Sequence, residues 1–467
     1  MAGRLFLHDM KCADIGVNDR KVVLKTHPVA IMHQLAAVGP QDAYTHIDPE
    51  GTFFKTKHLR YTHFGLETRE LHFDRQLNYH LGGHFPLFSN KTNVISCEIP
   101  KLDHRLYTTG VRGLVLDVTL PPLPQELEGS TFVEWSRSIM FAMIEKVNLK
   151  IDGNIIQSVS GKFMFINSDL SVPVSKRTGY KRMTGKGVKH DGKSEVTYHL
   201  PLSLWFNDCT IFPIGTLSPK VKVTCEVHMR PLLQCVKSDR NIKRSFHDSV
   251  LCEVKLLCDY VWMHRSELKE YANMELLIEQ TQEHEMVIEP NVSDVKFELL
   301  TTNATKRCHW VIQDVGDTVN NTVFGNEHTN FSGWSVMAMQ SRQWPVQLPC
   351  PVHHTQLYLA NEAREPRGFR DLSFSDETRV HEMFYRFIQP YKISKLNIPS
   401  SKYIFSYFFA MNPLAIYPSG HYDMGQTSNF IKLKLVEGLR RTVVTFFAVS
   451  YNILVVKDGY MDVKYVD

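Results

Sequence analysis

Alternation with a period of two residues is the feature that most limits how this chain folds. Val147, Leu149 and Ile151 alternate with Lys146, Asn148 and Lys150. Val221, Val223, Cys225, Val227 and Met229 alternate with Lys222, Thr224, Glu226 and His228, and Ile431, Leu433 and Leu435 with Lys432 and Lys434. Successive side chains of a strand point to opposite faces, so each run buries one face and wets the other, as a sheet packed on another sheet requires. Turn signals agree. Asp152-Gly153 follows the first run, and Asp458-Gly459 separates the buried run 446–456 from Met461, Val463 and Tyr465. Both central positions of the tightest hairpin turn need φ > 0, which Asp-Gly accepts. Helical signals are sparse. The clearest has Ser266 as N-cap and Glu267 in the first turn, and runs toward Ile278-Glu279-Gln280. Many strands and few helices imply an all-β protein built from β-sandwiches.

The length of 467 residues suits two domains of ~200 residues each. The boundary falls in the charged stretch 237–248, KSDRNIKRSFHD. This gives an N-terminal arm 1–33, a first sandwich 34–236, a linker 237–248 and a second sandwich 249–467 opened by a strand over 250–263. Residues 177–193, rich in Gly and Lys, read as an exposed basic loop, and 314–351 as a long surface excursion. A net charge of +4, from 53 Lys and Arg against 49 Asp and Glu, shows no basic bias of the kind that wrapping nucleic acid demands. Nine cysteines without a C-x-x-C pattern suit free, buried thiols in a reducing compartment. The first eleven residues lack the apolar core of a signal peptide. The longest apolar stretches, 403–418 and 442–456, fall short of a membrane span of ~20 residues. The expectation is a soluble protein made in the cytosol.

Catalytic and ligand motifs fail on inspection. Residues 179–187 resemble a phosphate loop, but five residues precede Gly185-Lys186 where four are needed, and Gly187 stands where the metal-binding hydroxyl belongs. His80 and His84 flank Gly82-Gly83, which opposes a helix, and Cys350, His353 and His354 lack a second ligand pair. No His-x-His pair and no Gly-x-Ser-x-Gly elbow occurs. The expectation is no enzyme, no cofactor and no metal. N-glycosylation triplets begin at Asn90, Asn291, Asn303, Asn320 and Asn330, although a cytosolic route bypasses the machinery that reads them. The aromatic run 405–409 reads as sandwich core rather than a base-stacking platform.

An ordered set of short motifs narrows the reading. Residues 34–44, QLAAVGPQDAY, contain Gly39, Gln41, Asp42 and Tyr44; Pro49 and then Thr52-Phe53-Phe54-Lys55 follow. Tyr61-Thr62-His63-Phe64, the strand and hairpin 144–153, Arg177-Thr178-Gly179-Tyr180 and the segment 200–206 ending in Trp205-Phe206 come next. Asp259-Tyr260-Val261, Trp310-Val311-Ile312-Gln313, Pro418-Ser419-Gly420 and Ser450-Tyr451-Asn452 complete the series. Taken in order, the set resembles the major capsid proteins of nucleocytoplasmic large DNA viruses, with a length like that of the iridovirus, ascovirus and marseillevirus members. Pro418-Ser419-Gly420 is followed by His421–Gln426, where the family usually has an Asn-Phe-Ser-Arg-like segment.

The resemblance implies two tandem eight-stranded jelly rolls, with Asp259-Tyr260-Val261 opening the second. It implies homotrimeric, pseudo-hexagonal capsomers tiling the icosahedral shell of a large double-stranded DNA virus, made in the host cytoplasm. The implied partners are the chain itself, neighbouring trimers, and minor capsid and penton proteins. An internal viral membrane lies nearby, and no direct nucleic-acid contact is expected. The arm would lie beneath the shell. Alternatives are a capsid paralogue serving as a minor shell or scaffold protein, and a carbohydrate-binding tandem jelly roll.

Overall fold

The computed structural model describes residues 32–33, 35–37, 62–74, 77–80, 93–123, 133–207, 210–238, 249–269, 273–317, 327–334, 350–364, 383–394 and 403–465. The chain divides into two compact units, Met1–Thr62 and His63–Asp467. The sandwiches lie in the second.

The first sandwich has eight principal strands: β1 (Phe64–His72), β2 (Asn93–Glu98), β3 (Tyr107–Leu120), β4 (Ile144–Ile151), β5 (Asn154–Ser160), β6 (Val196–Pro201), β7 (Val223–Met229) and β8 (Ser249–His264). One sheet runs β1-β8-β3 with β6 on the far edge of β3, and the other runs β2-β7-β4-β5. The second sandwich has β9 (Met274–Ile288), β10 (Asp294–Leu299), β11 (Ala304–Asp314), β12 (Val352–Leu359), β13 (Glu362–Ala363), β14 (Phe405–Phe408), β15 (Asn429–Leu435) and β16 (Thr442–Lys457). Its sheets run β9-β16-β11-β14 and β10-β15-β12-β13. Adding eight to each strand number converts the first pair of sheets into the second. Both halves are therefore jelly rolls of one topology, and all principal pairings are antiparallel.

The alternation does what it predicts. Val223, Cys225, Val227 and Met229 of β7 are buried, with the residues between them only partly so. Ile431, Leu433 and Leu435 of β15 point inward, while Lys432 and Lys434 are exposed. Each roll has its own core. Leu114, Leu116 and Val118 face Val147, Leu149 and Val227 in the first. Trp310, Ile312, Leu357, Ile431 and Phe446 meet in the second. Both predicted hairpins form. Asp152 and Gly153 take φ of 50° and 88°, and Asp458 and Gly459 take 51° and 83°, the left-handed pair that a two-residue turn requires. The aromatic run 405–409 supplies core, with Phe405 and Phe408 buried.

Some sequence expectations need correction. The strand predicted to open the second sandwich is β8, which pairs with β1 along one edge and with β3 along the other. It closes the first roll, and Asp259-Tyr260-Val261 lies within it. Its alternation shows that it is a half-buried strand but not which sheet takes it. The predicted linker begins inside a short strand, Val236–Ser238, paired with Val133–Trp135; residues 239–248 lie outside the described residues. The helix at Ser266 spans only Arg265–Lys269, and residues 274–288 form β9. The Ser266 hydroxyl lies 2.6 Å from His264 Nδ1. The predicted basic loop 177–193 begins within a helix, Val174–Thr184, and Lys186 after it is buried. Within 314–351, Phe331 and Trp334 are buried, so that part packs inward; residues 318–326 and 335–349 lie outside the described residues.

Candidate assembly surface

The joint between the two rolls is built from one helix and one sheet face. Helix α1 (Gly161–Ser171) follows β5 directly. Its N-cap is Ser160, whose hydroxyl accepts from the Phe163 backbone N–H at 3.2 Å. A β-carbon on Gly161 would stand 2.3 Å from the Ile144 carbonyl oxygen, so only glycine lets the helix start this close to the sheet. Helix α1 then meets the outer face of β9, β16 and β11. Phe163 packs on Phe447 with ring centroids 5.7 Å apart. Lys162 donates to Glu285 at 2.7 Å, and Arg307 donates to Asn167 Oδ1 at 3.1 Å. Beside the helix, the Gln280 amide donates to the Ile156 carbonyl at 2.6 Å, and Lys237 pairs with Glu327.

A polar cavity of about 510 Å³ opens at this joint, lined among others by Lys162, Arg230, Glu283, Glu285 and His328. Burial acts to raise the Glu285 carboxyl, but the charge and hydrogen bond of Lys162 outweigh it and hold the group below its ordinary value. Burial raises Glu283. The His328 imidazole is held well below its ordinary value by burial and by Arg230, and a ring nitrogen lies 2.8 Å from the Gln234 carbonyl oxygen, where a neutral ring can donate. Arg230 donates to the carbonyls of Ala142 and Ile144 at 2.6 and 2.7 Å. Lys162 with Glu285 and His328 with Gln234 bridge the joint, while Arg230 is held by carbonyls of the first roll. Among the described residues no group of three His, Cys, Asp or Glu could hold a metal ion, and no helix is long and apolar enough to cross a membrane. Six of the described cysteines (97, 225, 235, 252, 258 and 308) are buried, and burial pushes the Cys97 thiol up to about 11, which keeps it protonated.

The solvent face of the other sheet carries a charged cluster. Glu226 accepts from Lys150 at 2.6 Å and from the Asn148 amide at 3.2 Å, and His228 Nε2 lies 2.6 Å away. Burial works to raise this carboxyl, but the three hydrogen bonds and the Lys150 charge bring it down to about 2 from an ordinary 4.5. A depressed carboxylate stabilises the fold above its unfolded pKa, and that stabilisation fades as pH falls from about 4.5 toward 2. Glu226→Gln is therefore expected to cost roughly 1–2 kcal/mol at pH 7, allowing for solvent screening, and little at pH 2. Denaturant midpoints of parent and variant at both pH values measure it; a difference independent of pH would refute the linkage.

Among the described motif residues, Trp205, Phe206 and Asn452 are buried, while Pro418, Ser419 and Gly420 lie nearer the surface. Trp205 and Phe206 are buried, and Phe206 stacks on Phe212 at 5.4 Å. The Trp205 backbone N–H donates to Gln157 Oε1 at 3.1 Å. Asn452 is buried in β16, donates to Gln280 Oε1 at 2.6 Å and to the Tyr465 carbonyl at 2.7 Å, and so ties the C-terminal hairpin to β9. Pro418 is exposed; Ser419 Oγ accepts from the Asn412 N–H at 2.8 Å. Gly420 takes φ of 137°, and a β-carbon there would meet the Phe409 carbonyl oxygen at 2.8 Å. Gly39, Gln41, Asp42, Tyr44, Pro49, Thr52, Phe53, Phe54 and Lys55 lie outside the described residues, as do Asn90 and Asn320. Asn291 is exposed and Asn303 half-buried. The Asn330 amide donates to Asp317 at 2.7 Å and to the Trp334 carbonyl at 2.9 Å, so it is already engaged. Sequence reasoning missed α1. Its signal was the apolar run Phe163–Ile166, which breaks the period of two straight after Ser160.

Two jelly rolls of one topology, joined through a helix and a sheet face, define the class as a tandem jelly-roll protein. Comparisons with known proteins specify it further. Residues 52–264 match the family described as major capsid protein N-terminus, and residues 267–462 the family described as large eukaryotic DNA virus major capsid protein. The gap between the two matches follows the end of β8 at His264. The major capsid protein of Pyramimonas orientalis virus is 25% identical over 453 residues, spanning 92% of this chain and 98% of that one. That of Phaeocystis pouchetii virus is 25% identical over 322 residues, which is 60% of this chain but only 58% of the relative's length. Among solved structures, PBCV-1 VP54 superposes with a TM-score of 0.67 at 17% identity, over 89% of this chain and 100% of that one. The Faustovirus major capsid protein gives 0.64 at 10% identity, over 98% of each chain. The chain belongs to the family of major capsid proteins of large eukaryotic DNA viruses.

Proposed function

We propose that this chain is the repeating subunit of a virion shell, and that three copies close into a capsomer of pseudo-hexagonal outline. The observation that carries the reading is the doubled topology: the second pair of sheets repeats the first strand for strand. Two like rolls per chain and three chains give six like corners, and a hexagonal lattice can be tiled with one gene product. A head-to-tail contact that closes on itself makes a ring. The activity is self-assembly, not catalysis. Neighbouring capsomers, minor capsid and penton proteins are the partners, an internal membrane lies beneath the shell, and synthesis takes place in the host cytoplasm. The residues preceding β1 are the natural candidates for contacts beneath the shell.

Light scattering coupled to size-exclusion chromatography tests the trimer. The expected solution mass is three times the 53.9 kDa of the chain. A monomer that persists at high concentration and in the presence of a folding chaperone would overturn the reading.

A further inference from the structure

A second, smaller pocket of about 50 Å³ lies where α1 and the segment after β6 meet the outer face of the second roll. Both rolls build its wall. The first supplies Gln157, Asn167 and Trp205, the second Glu279 and Arg307, and apolar side chains of both complete it. Holding one water takes about 10–15 Å³. The pocket therefore has room for a few waters or for one small ion.

The polar groups of the wall are unevenly matched. Its acceptors are engaged by donors of the chain. Gln157 Oε1 accepts from the Trp205 backbone N–H at 3.1 Å. Asn167 Oδ1 accepts from Arg307 at 3.1 Å, and Glu279 accepts from Lys306. The Trp205 indole N–H is different. It can only donate, its side chain is buried, and it has no acceptor among the described residues. Folded proteins seldom leave a buried donor in that state, because its lost hydration is not repaid.

The charges lean the same way. Two buried cations, Lys306 and Arg307, at 0% and 5% exposure, stand here against one carboxylate, Glu279. A water molecule would satisfy the indole but not the excess positive charge, and a buried charge calls for its opposite. The carboxylate in the wall disfavours a doubly charged guest. The small volume and the apolar remainder of the wall disfavour a bulky oxyanion and suit a compact, weakly hydrated one.

We infer that this pocket binds one halide ion, chloride in its natural setting. The Trp205 indole N–H donates to the ion, and the Arg307 guanidinium supplies the opposite charge. Trp205 belongs to the first roll and Arg307 to the second, so the ion is a tie across the joint. The site belongs to the single chain and stands whether or not three copies close into a ring.

Thermal unfolding in sodium chloride or bromide tests it, with gluconate, too bulky for the pocket, replacing halide at equal ionic strength. The midpoint of the parent should rise with halide and saturate. Trp205→Phe keeps most of the ring packing and removes the N–H, and should need about tenfold more halide for half of that rise, the worth of one hydrogen bond to a charged group. Circular dichroism in gluconate confirms that the variant folds. Crystals of the parent grown in bromide give a readout that needs no variant: anomalous density is expected within hydrogen-bond distance of Trp205 Nε1. A parent midpoint that never saturates overturns the site, as does a folded Trp205→Phe variant with the parent's halide response. Bromide crystals without density there overturn it as well. Density in the crystal with no saturable response in solution means binding at crystal concentration only, and overturns it too.

Discussion

Trp310→Ala is expected to destabilise the second roll by about 3–5 kcal/mol, the range for truncating a large buried aromatic. Trp310 is fully buried at the centre of that core. Its ring stacks on Phe405 at 5.9 Å and meets the edge of Tyr385 at 5.1 Å, and its indole N–H donates to Thr355 Oγ1 at 3.0 Å. Alanine would remove both ring contacts, leave a cavity between the two sheets and strand a buried hydroxyl. Trp310→Phe keeps most of the apolar volume and should lose only about 1–2 kcal/mol, mainly the hydrogen bond. Denaturant unfolding of parent and both variants measures the pair. A loss under about 1 kcal/mol for the alanine variant would mean that the core collapses around the gap.

Asp169→Ala is expected to cost about 3–5 kcal/mol, the penalty for leaving a buried charge without its partner. Asp169 and Lys186 form an ion pair at 2.8 Å, with side chains only 9% and 4% exposed. The Lys186 ammonium also donates to the Phe165 carbonyl at 2.8 Å and lies 4.2 Å from the Phe165 ring centroid. The pair fastens α1, the helix that carries Phe163 into the joint between the rolls. The double replacement Asp169→Leu with Lys186→Met removes both charges and nearly keeps the volume, so it should cost less than Asp169→Ala alone. A double-mutant cycle on folding stability decides it. If the double variant is as unstable as the sum of the two single ones, the charges do not act on each other, and the placement of Lys186 owes nothing to Asp169.

The two predictions differ in how far the sequence could have led to them. Trp310 sits in an apolar run, Trp310-Val311-Ile312, and a buried role follows from its surroundings. Lys186 stands in a stretch that reads as a solvated basic loop, because Gly179, Gly185, Gly187 and several lysines and arginines dominate its composition. Composition describes a segment's average tendency. It does not reveal that one ammonium finds a carboxylate and a carbonyl 17 and 21 residues back in the chain, which is what makes burial of a charge tolerable.

The sequence by itself determined the strand content, the inward face of each strand and the two Asp-Gly hairpins. These are local properties: side-chain alternation is set by backbone geometry within a few residues, and φ > 0 by the two residues of the turn. The ordered motifs determined the family. Tertiary structure alone decided which strands are neighbours. β8 inserts between β1 and β3, so that Phe64 pairs with Met263 and Val115 with Leu257, and no periodic pattern encodes a partner that far away. It also decided that α1 leaves the first roll to sit on the second, and that the connection between β13 and β14 holds a helical segment that buries Phe384 and Tyr385 while Met383 and Ile388 stay exposed. The first depends on how two finished sandwiches meet, which is fixed by shape and pairing between surfaces that exist only after each roll has folded.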